Sequence, residues 1–300
     1  MNASGEYAGR IQRAIDYIEA NLTHEVSLQD AAREACWSPF HFMRTFGAIV
    51  GSTFRQYVRD RRMEIAAYRL AFSDARVLDV AQSVGYETQE AFTRAFKRIY
   101  GISPGRYRFS AVYTIRTPRA RVVLHPGDGE GGNRMEPKIE QIGDKVILGV
   151  ELRTKNDGSN TKEVPEFWQR YLQDHTEDKI PGKIEPTIEY GLCTNMDFDT
   201  GEFSYVIGYE VAPQSATPTD TLGAFPVPHG TYAVFTARGS TVDTEFVDAI
   251  QATWRFIYST WFVDNPTWER ADGPDFERYD RRRMTATTNE CDICIPVRAR

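Results

Sequence analysis

No run of this chain approaches the roughly twenty consecutive apolar residues that cross a bilayer. Residues 1–22 are polar and charged, without the apolar stretch of a secretory leader. Neither a membrane anchor nor export is expected, and the chain reads as cytoplasmic. Cysteine is scarce. Cys36, Cys193, Cys291 and Cys294 are scattered over 300 residues, which excludes a disulfide framework and suits a reducing compartment. The Cys291-x-x-Cys294 spacing has no second pair or histidine cluster to complete a tetrahedral metal site. Residues three apart in a strand also point to opposite faces, so both are expected to be structural thiols. The five histidines have no Ser or Cys partner in a recognisable pattern. No metal, no cofactor and no catalytic set is expected.

What is present is an ordinary globular composition, 41% hydrophobic and 26% charged, in a chain long enough for two domains. The net charge of −6 hides an asymmetry: residues 1–121 hold 18 Lys and Arg against 12 Asp and Glu, while residues 122–300 hold 18 against 30. A basic front half suits a polyanion, and the acidic back half suggests a separate task. Between them, HPGDGEGGNR (residues 125–134) has no apolar pattern and predicts a flexible linker over 122–134.

The front half reads as helices. Ile11, Ala14, Ile15 and Ile18 repeat with helical spacing, Ser27 is placed to cap a helix with Asp30 in the capping-box position, and residues 53–72 form a long basic helix. That helix is expected to hold Arg55, Arg59, Arg61, Arg62 and Arg69 outside and Phe54, Val58, Ile65 and Leu70 inside. Sliding residues 26–59 forward by 50 lays Leu28 on Leu78, Ala31 on Ala81 and Ser38 on Thr88. Phe42 then meets Phe92, Arg44 meets Arg94, Phe46 meets Phe96 and Gly51 meets Gly101, without a gap. This is an internal duplication.

Each copy has the layout of a helix-turn-helix: a short helix with a small alanine (28–35 and 78–83), a turn helped by Gly85 in the second copy, then a helix capped by Ser38 or Thr88. Phe42/Phe46 and Phe92/Phe96 form its buried stripe. The opposite face is expected to point outward, carrying His41, Met43 and Arg44 in one copy and Gln89, Glu90, Thr93 and Arg94 in the other. These side chains suit base edges and phosphates, and the face of this motif enters the major groove.

Residues 8–108 resemble the AraC/XylS DNA-binding domain. The signature-like stretch is VLDVAQSVGYETQEAFTRAFKRIYGISPGRY, residues 77–107. The resemblance implies an all-α, seven-helix domain that binds double-stranded promoter DNA, with Phe40, Met43, Arg44, Gln89, Thr93 and Arg94 approaching it. It also brings RNA polymerase into view as a partner, and two motifs in one chain allow a monomer to bind. The family's stress-response activators tend to carry Trp and Gln where Phe40 and Met43 stand here.

Beyond the linker the texture becomes strand-like: 146–152, 189–194, 203–211, 231–237 and 291–297 are rich in β-branched and aromatic residues, with helical stretches at 163–174 and 241–261. An α+β domain with a mostly antiparallel sheet is expected over 135–300. In the short strand DFERY, Glu277 has two readings: a carboxylate among aromatics, or a surface residue paired with one of Arg281, Arg282 and Arg283. Trp168, Phe235, Trp254, Tyr258 and Tyr279 are the aromatic candidates, and such a setting suits an organic cation.

Residues 229–235 (HGTYAVF), 272–279 (DGPDFERY) and 292–297 (DICIPV) resemble the GyrI-like effector-binding domain. That resemblance implies two βαββ units around a concave pocket for a small hydrophobic or cationic effector, with the glutamate of this strand pointing inward. Two alternatives remain. Some such domains hydrolyse reactive cyclopropane-type compounds with paired glutamates, and the back half could instead be a protein-interaction module.

Overall fold

The computed structural model describes residues 3–110, 113, 115–122, 135–156, 158–198, 200–241 and 244–300. The expected linker therefore lies, but for residue 122, outside the described residues. Chain contacts divide the molecule into two compact units, one within Tyr7–Val123 and the other containing Leu124–Arg300.

The first unit is helical: α1 (Ala3–Ala20), α2 (Leu28–Glu34), α3 (Pro39–Val50), α4 (Phe54–Phe72), α5 (Val77–Ser83), α6 (Gln89–Tyr100) and α7 (Pro104–Arg108). Hydroxyl N-caps set the starts: Ser27, Ser38, Thr53, Thr88 and Ser103 each accept a bond from the backbone N–H three residues on. Gly51 and Gly101, at φ +76° and +79°, end the paired helices α3 and α6 in the left-handed conformation that glycine tolerates. Phe42, Phe46, Phe92 and Phe96 are fully buried.

The duplication holds with one change of register. α3 and α6 superpose in the expected frame, but α2 and α5 do not. The positive-φ residue of the turn is Cys36 in the first copy and Gly85 in the second, leaving one more residue before Thr88 than before Ser38. Leu28 therefore corresponds to Val77, and Leu78, expected as its partner, is 37% exposed. The close-packed alanines are Ala32 and Ala81.

Two arginines of α4 are not outward as expected. Arg61 pairs with Glu19 at 2.8 Å and donates to the Thr117 carbonyl, and Arg62 donates to the carbonyls of Leu22 and His24. Their guanidinium groups tie down loop backbone rather than meet solvent. Ile65, expected inside, is only half-buried.

Glu64, 4% exposed, anchors the segment after α7. It accepts from the Tyr100 and Tyr113 hydroxyls at 3.2 and 2.7 Å and from the backbone N–H groups of Arg116 and Thr117 at 3.0 and 3.3 Å. The same segment reaches α1 through Arg119–Asp16.

Among its described residues, the second unit is an antiparallel sheet with two long helices and several short helical turns. Its elements are β1 (Lys138–Ile142), β2 (Lys145–Lys155), α8 (Asn160–Gln173), β3 (Ile188–Thr194), β4 (Glu202–Val211), β5 (Gly223–Val227), β6 (Gly230–Ser240), α9 (Glu245–Phe256), β7 (Trp268–Arg270), β8 (Asp275–Asp280) and β9 (Thr288–Ala299). A π-helical turn, Ile257–Trp261, extends α9. The strand order is β1-β6-β9-β8-β3-β4-β2-β5, with β7 on β9.

Two βαββ units, β2-α8-β3-β4 and β6-α9-β8-β9, thus meet along the β3–β8 seam. They exchange their leading strands, since β1 pairs with β6 and β5 with β2. The registers match on both sides: Gly191 pairs with Ile207 in β4 as Glu277 pairs with Ile293 in β9, and Gly191 and Glu277 face each other across the seam. One face packs α8 and α9; the other curls over Phe276 with Tyr190 and Tyr232, whose rings lie 5.9 and 5.4 Å from that of Phe276. The short edge strands β1 and β5 were not signalled by residue type.

Glu64→Ala should destabilise the protein by about 1–3 kcal/mol, because four donors lose a buried acceptor, while Glu64→Gln should cost much less. Chemical denaturation followed by circular dichroism checks this; equal stability of the alanine variant would show that the segment is not anchored there.

Candidate functional site

Across the sheet, Val150, Ile207, Gly191, Glu277, Ile293 and Phe235 form one row of paired residues. Directly paired residues share a face, so the whole row lies beneath the helices. Glu277 sits near its middle and is 8% exposed. Its Oε2 accepts from the Tyr205 hydroxyl at 2.7 Å and the Tyr279 hydroxyl at 2.9 Å, and its Oε1 from Trp254 Nε1 at 2.9 Å. Trp168 Nε1 donates to the Tyr205 hydroxyl at 2.9 Å, and its ring meets Tyr279 edge-on at 4.9 Å. Each of the two helices therefore supplies one tryptophan aimed at the same carboxylate, α9 directly and α8 through Tyr205.

Three further buried carboxylates share this unit, and each has an arginine. Asp292 pairs with Arg278 at 3.0 Å and with Arg283 at 2.6 Å. Asp275 pairs with Arg270 at 2.7 Å, both essentially without exposure, and accepts from Tyr258 at 3.0 Å. Glu189 pairs with Arg281 at 2.8 Å and accepts from Tyr209 at 2.7 Å. Glu277 differs: among the described residues, no lysine or arginine forms an ion pair with it, and its bonds come from neutral donors. Burial, then the nearby Glu277 charge, holds the Tyr205 hydroxyl proton on far beyond the ordinary range. Burial does the same for Tyr279, followed by Cys291 and Glu277.

Of the six aromatic and acidic candidates read from sequence, the structure gathers Glu277, Tyr279, Trp168 and Trp254. Tyr258 stacks parallel to Trp254 at 6.3 Å, but its hydroxyl serves Asp275 and Arg270. Phe235 lies two strands from Glu277 and packs edge-on against Trp261 at 5.1 Å as core. The surface reading of Glu277 fails on partners: Arg281 goes to Glu189, Arg282 to Asp280, and Arg283 to Glu290 and Asp292. Sequence reasoning missed Tyr205, one aromatic among many in a strand, and Gly191. Among the described residues, no group of His, Cys, Asp and Glu could hold a metal ion, and no helix is long and apolar enough to cross a membrane.

In the helical unit, Gln89, Glu90 and Arg94 are exposed and Thr93 is half-buried. Phe40 and Arg44 are half-buried, with the Arg44 guanidinium 5.3 Å from the centre of the Phe40 ring. His41 and Met43 depart from the outward placement expected of them, at 5% and 4% exposure. His41 Nε2 meets the Tyr7 hydroxyl at 2.8 Å and its ring stacks on Trp37 at 4.7 Å, so α1 covers it. Met43 lies beside Phe42 and one turn before Phe46, on the flank of the buried stripe rather than opposite it.

Comparison with known proteins divides the chain in the same way. The model described as "Helix-turn-helix domain" matches residues 31–110, and the Cass2 model, "Integron-associated effector binding protein", matches residues 138–297. Transcriptional regulator Rob of Salmonella typhimurium is 27% identical, over 98% of this chain and 99% of that protein. The uncharacterized HTH-type transcriptional regulator YbfP of Bacillus subtilis is 40% identical over 34% of this chain, a match spanning 35% of that relative's length. A solved structure described as SAV2435 bound to tetraphenylphosphonium is 20% identical over 55% of this chain and 94% of that one, with a TM-score of 0.45.

The tyrosines predict an alkaline limit. Folding raises the pKa of Tyr205 and Tyr279, and that of Tyr232 to about 12, from 10.0. Their neutral forms are thus favoured in the native state. The stability this reflects is complete below pH 10 and is lost as pH rises above it, by up to about 1.4 kcal/mol per unit for each hydroxyl held neutral. Absorbance at 295 nm should show these tyrosines ionising only together with loss of the sheet's circular dichroism; full ionisation near pH 10 with the fold intact would refute the assignment.

Proposed function

We propose, for a chain that belongs to the family of integron-associated effector binding proteins and carries an AraC-type helix-turn-helix domain ahead of that region, that it is a transcription regulator controlled by a small organic cation. Glu277 carries the effector reading. A buried carboxylate calls for a cation or a full set of hydrogen-bond donors. In the second unit Asp275, Glu189 and Asp292 each have an arginine, while Glu64 of the helical unit has four donors, two of them fixed backbone N–H groups. Glu277 has three neutral donors and aromatic rings instead. A lipophilic cation seated near Trp168, Trp254 and Tyr279 would supply the missing charge and gain from the ring faces. An anion would meet an uncompensated carboxylate and be repelled.

The hydrolase alternative needs a second carboxylate converging on the first. Gly191 stands opposite Glu277, and the acids on either side are held by arginines. Binding, not turnover, is what this arrangement supports.

For DNA, α3 and α6 are the recognition helices, with Phe40, Arg44, Gln89, Glu90, Thr93 and Arg94 as the residues that approach it. His41 serves packing against α1 instead, and Met43 would reach DNA only from the flank of its helix. α4, with 19 residues, spans roughly 28 Å at 1.5 Å per residue. That is near the roughly 34–36 Å between successive major-groove segments on one face of a duplex. One chain can thus engage two turns as a monomer, which suits an asymmetric site.

Two outcomes are expected. Glu277→Gln should weaken tetraphenylphosphonium binding on the order of ten-fold, about 1.4 kcal/mol, and spare neutral triphenylmethanol, as read by calorimetric titration. Equal affinities for the cation would sink the effector assignment. Arg94→Ala should cost on the order of 1–3 kcal/mol at a selected DNA site; unchanged fluorescence anisotropy titrations would remove α6 from the interface.

A further inference from the structure

The two βαββ units are related about the Gly191–Glu277 pair, so Gly191 occupies in the first unit the place Glu277 occupies in the second. The backbone of Gly191 has an ordinary φ, so no turn requires glycine there. Space does. A Cβ at 191 would overlap the Tyr205 hydroxyl oxygen and lie 3.1 Å from Tyr205 Cζ and 3.0 Å from Glu277 Oε2. The Tyr205 hydroxyl therefore reaches Glu277 through the room left by a missing side chain.

That reach governs how many acceptor positions Glu277 has left. A carboxylate offers about four lone-pair sites. Tyr205 and Tyr279 both donate to Oε2, and Trp254 donates to Oε1. With three positions taken, a ligand that must donate several hydrogen bonds finds too few acceptors and is left with N–H groups out of water, each costing about 1–3 kcal/mol. A cation without N–H groups loses nothing and still gains the charge and the rings.

Resting on the effector reading given above, we propose that Gly191 is a specificity-determining residue. By admitting the Tyr205 hydroxyl to Glu277, it tunes the pocket to cations that cannot donate hydrogen bonds, such as phosphonium and quaternary ammonium ions, over ammonium and guanidinium groups. Gly191 acts through Tyr205. A side chain at 191 pushes the tyrosine off, breaks both the Trp168–Tyr205 and Tyr205–Glu277 bonds, and returns an acceptor position on Oε2.

The experiment uses the full chain and two probes of similar size, tetraphenylphosphonium and triphenylmethylammonium, titrated calorimetrically into wild type, Gly191→Ala, Tyr205→Phe and the double variant. Wild type should prefer the phosphonium at least ten-fold. Gly191→Ala and Tyr205→Phe should each reduce that preference several-fold, and the double variant should match Tyr205→Phe. Without ligand, the Trp168 indole N–H resonance should move in Gly191→Ala as it does in Tyr205→Phe. An unmoved resonance with unchanged preference in Gly191→Ala overturns the proposal, as does a Gly191→Ala effect that persists in full on the Tyr205→Phe background. Should wild type bind neither probe, the effector reading fails, and the resonance alone decides whether Gly191 positions Tyr205. If Gly191→Ala does not fold, the double variant, which lacks the overlapping hydroxyl, must fold for the steric account to stand.

Discussion

A carboxylate removed from water, with no lysine or arginine paired to it among the described residues, is a demanding group in the second unit, and three elements converge on it. Isolated charge in a low-dielectric interior costs several kcal/mol even after relaxation. Here the cost is offset by three donors from three elements: Tyr205 on β4, Tyr279 on β8 and Trp254 on α9. Trp168 on α8 holds Tyr205 in turn. The helices, α8 over β2 and β4 and α9 over β6 and β9, must therefore flank the β3–β8 seam closely enough for their tryptophans to reach it, and the tyrosines must stay protonated. The exchanged strands β1 and β5 fasten each unit to the other's outer strand, so the two units are joined at both edges as well as along the β3–β8 seam.

Glu64 in the helical unit solves a related problem differently. It too is buried, but two of its four donors are backbone N–H groups of the segment that follows α7. Backbone donors are fixed once the chain is in place, whereas side-chain donors can swing. Glu64 is thus suited to fastening chain, whereas all three donors to Glu277 are side chains. The same residue type is held by backbone and tyrosine donors in one unit and by side-chain donors alone in the other.

Much of this was legible in the sequence. Caps, the Phe stripe, the duplication and six of the strands follow from residue type and period, which are local properties. The resemblance placed Glu277 inward, where pattern alone left it open. What was not legible depends on long-range placement. His41 looked outward until Tyr7 and Trp37 covered it, 34 residues and four residues away in the chain. An ungapped slide cannot reveal a turn lengthened by one residue when Leu28 and Leu78 happen to coincide. Tyr258 and Trp254 sit four apart on one helical stretch and were indistinguishable, yet one serves Asp275 and the other Glu277.

The two duplications in this chain differ in visibility for a physical reason. In the helical unit both copies do the same work, so the same phenylalanines and caps recur and the repeat can be read by eye. In the sheet the copies share a backbone but divide the chemistry. One unit contributes the charge at Glu277; the other contributes the vacancy at Gly191 and the tyrosine that fills it. A strand asks only for alternation and β-compatible side chains, so the copies were free to differ wherever the buried network around Glu277 required unlike partners. A site on a pseudo-two-fold axis that must hold one unsymmetrical charge cannot keep both halves alike, and the loss of sequence symmetry at 191 and 277 is the mark of that requirement.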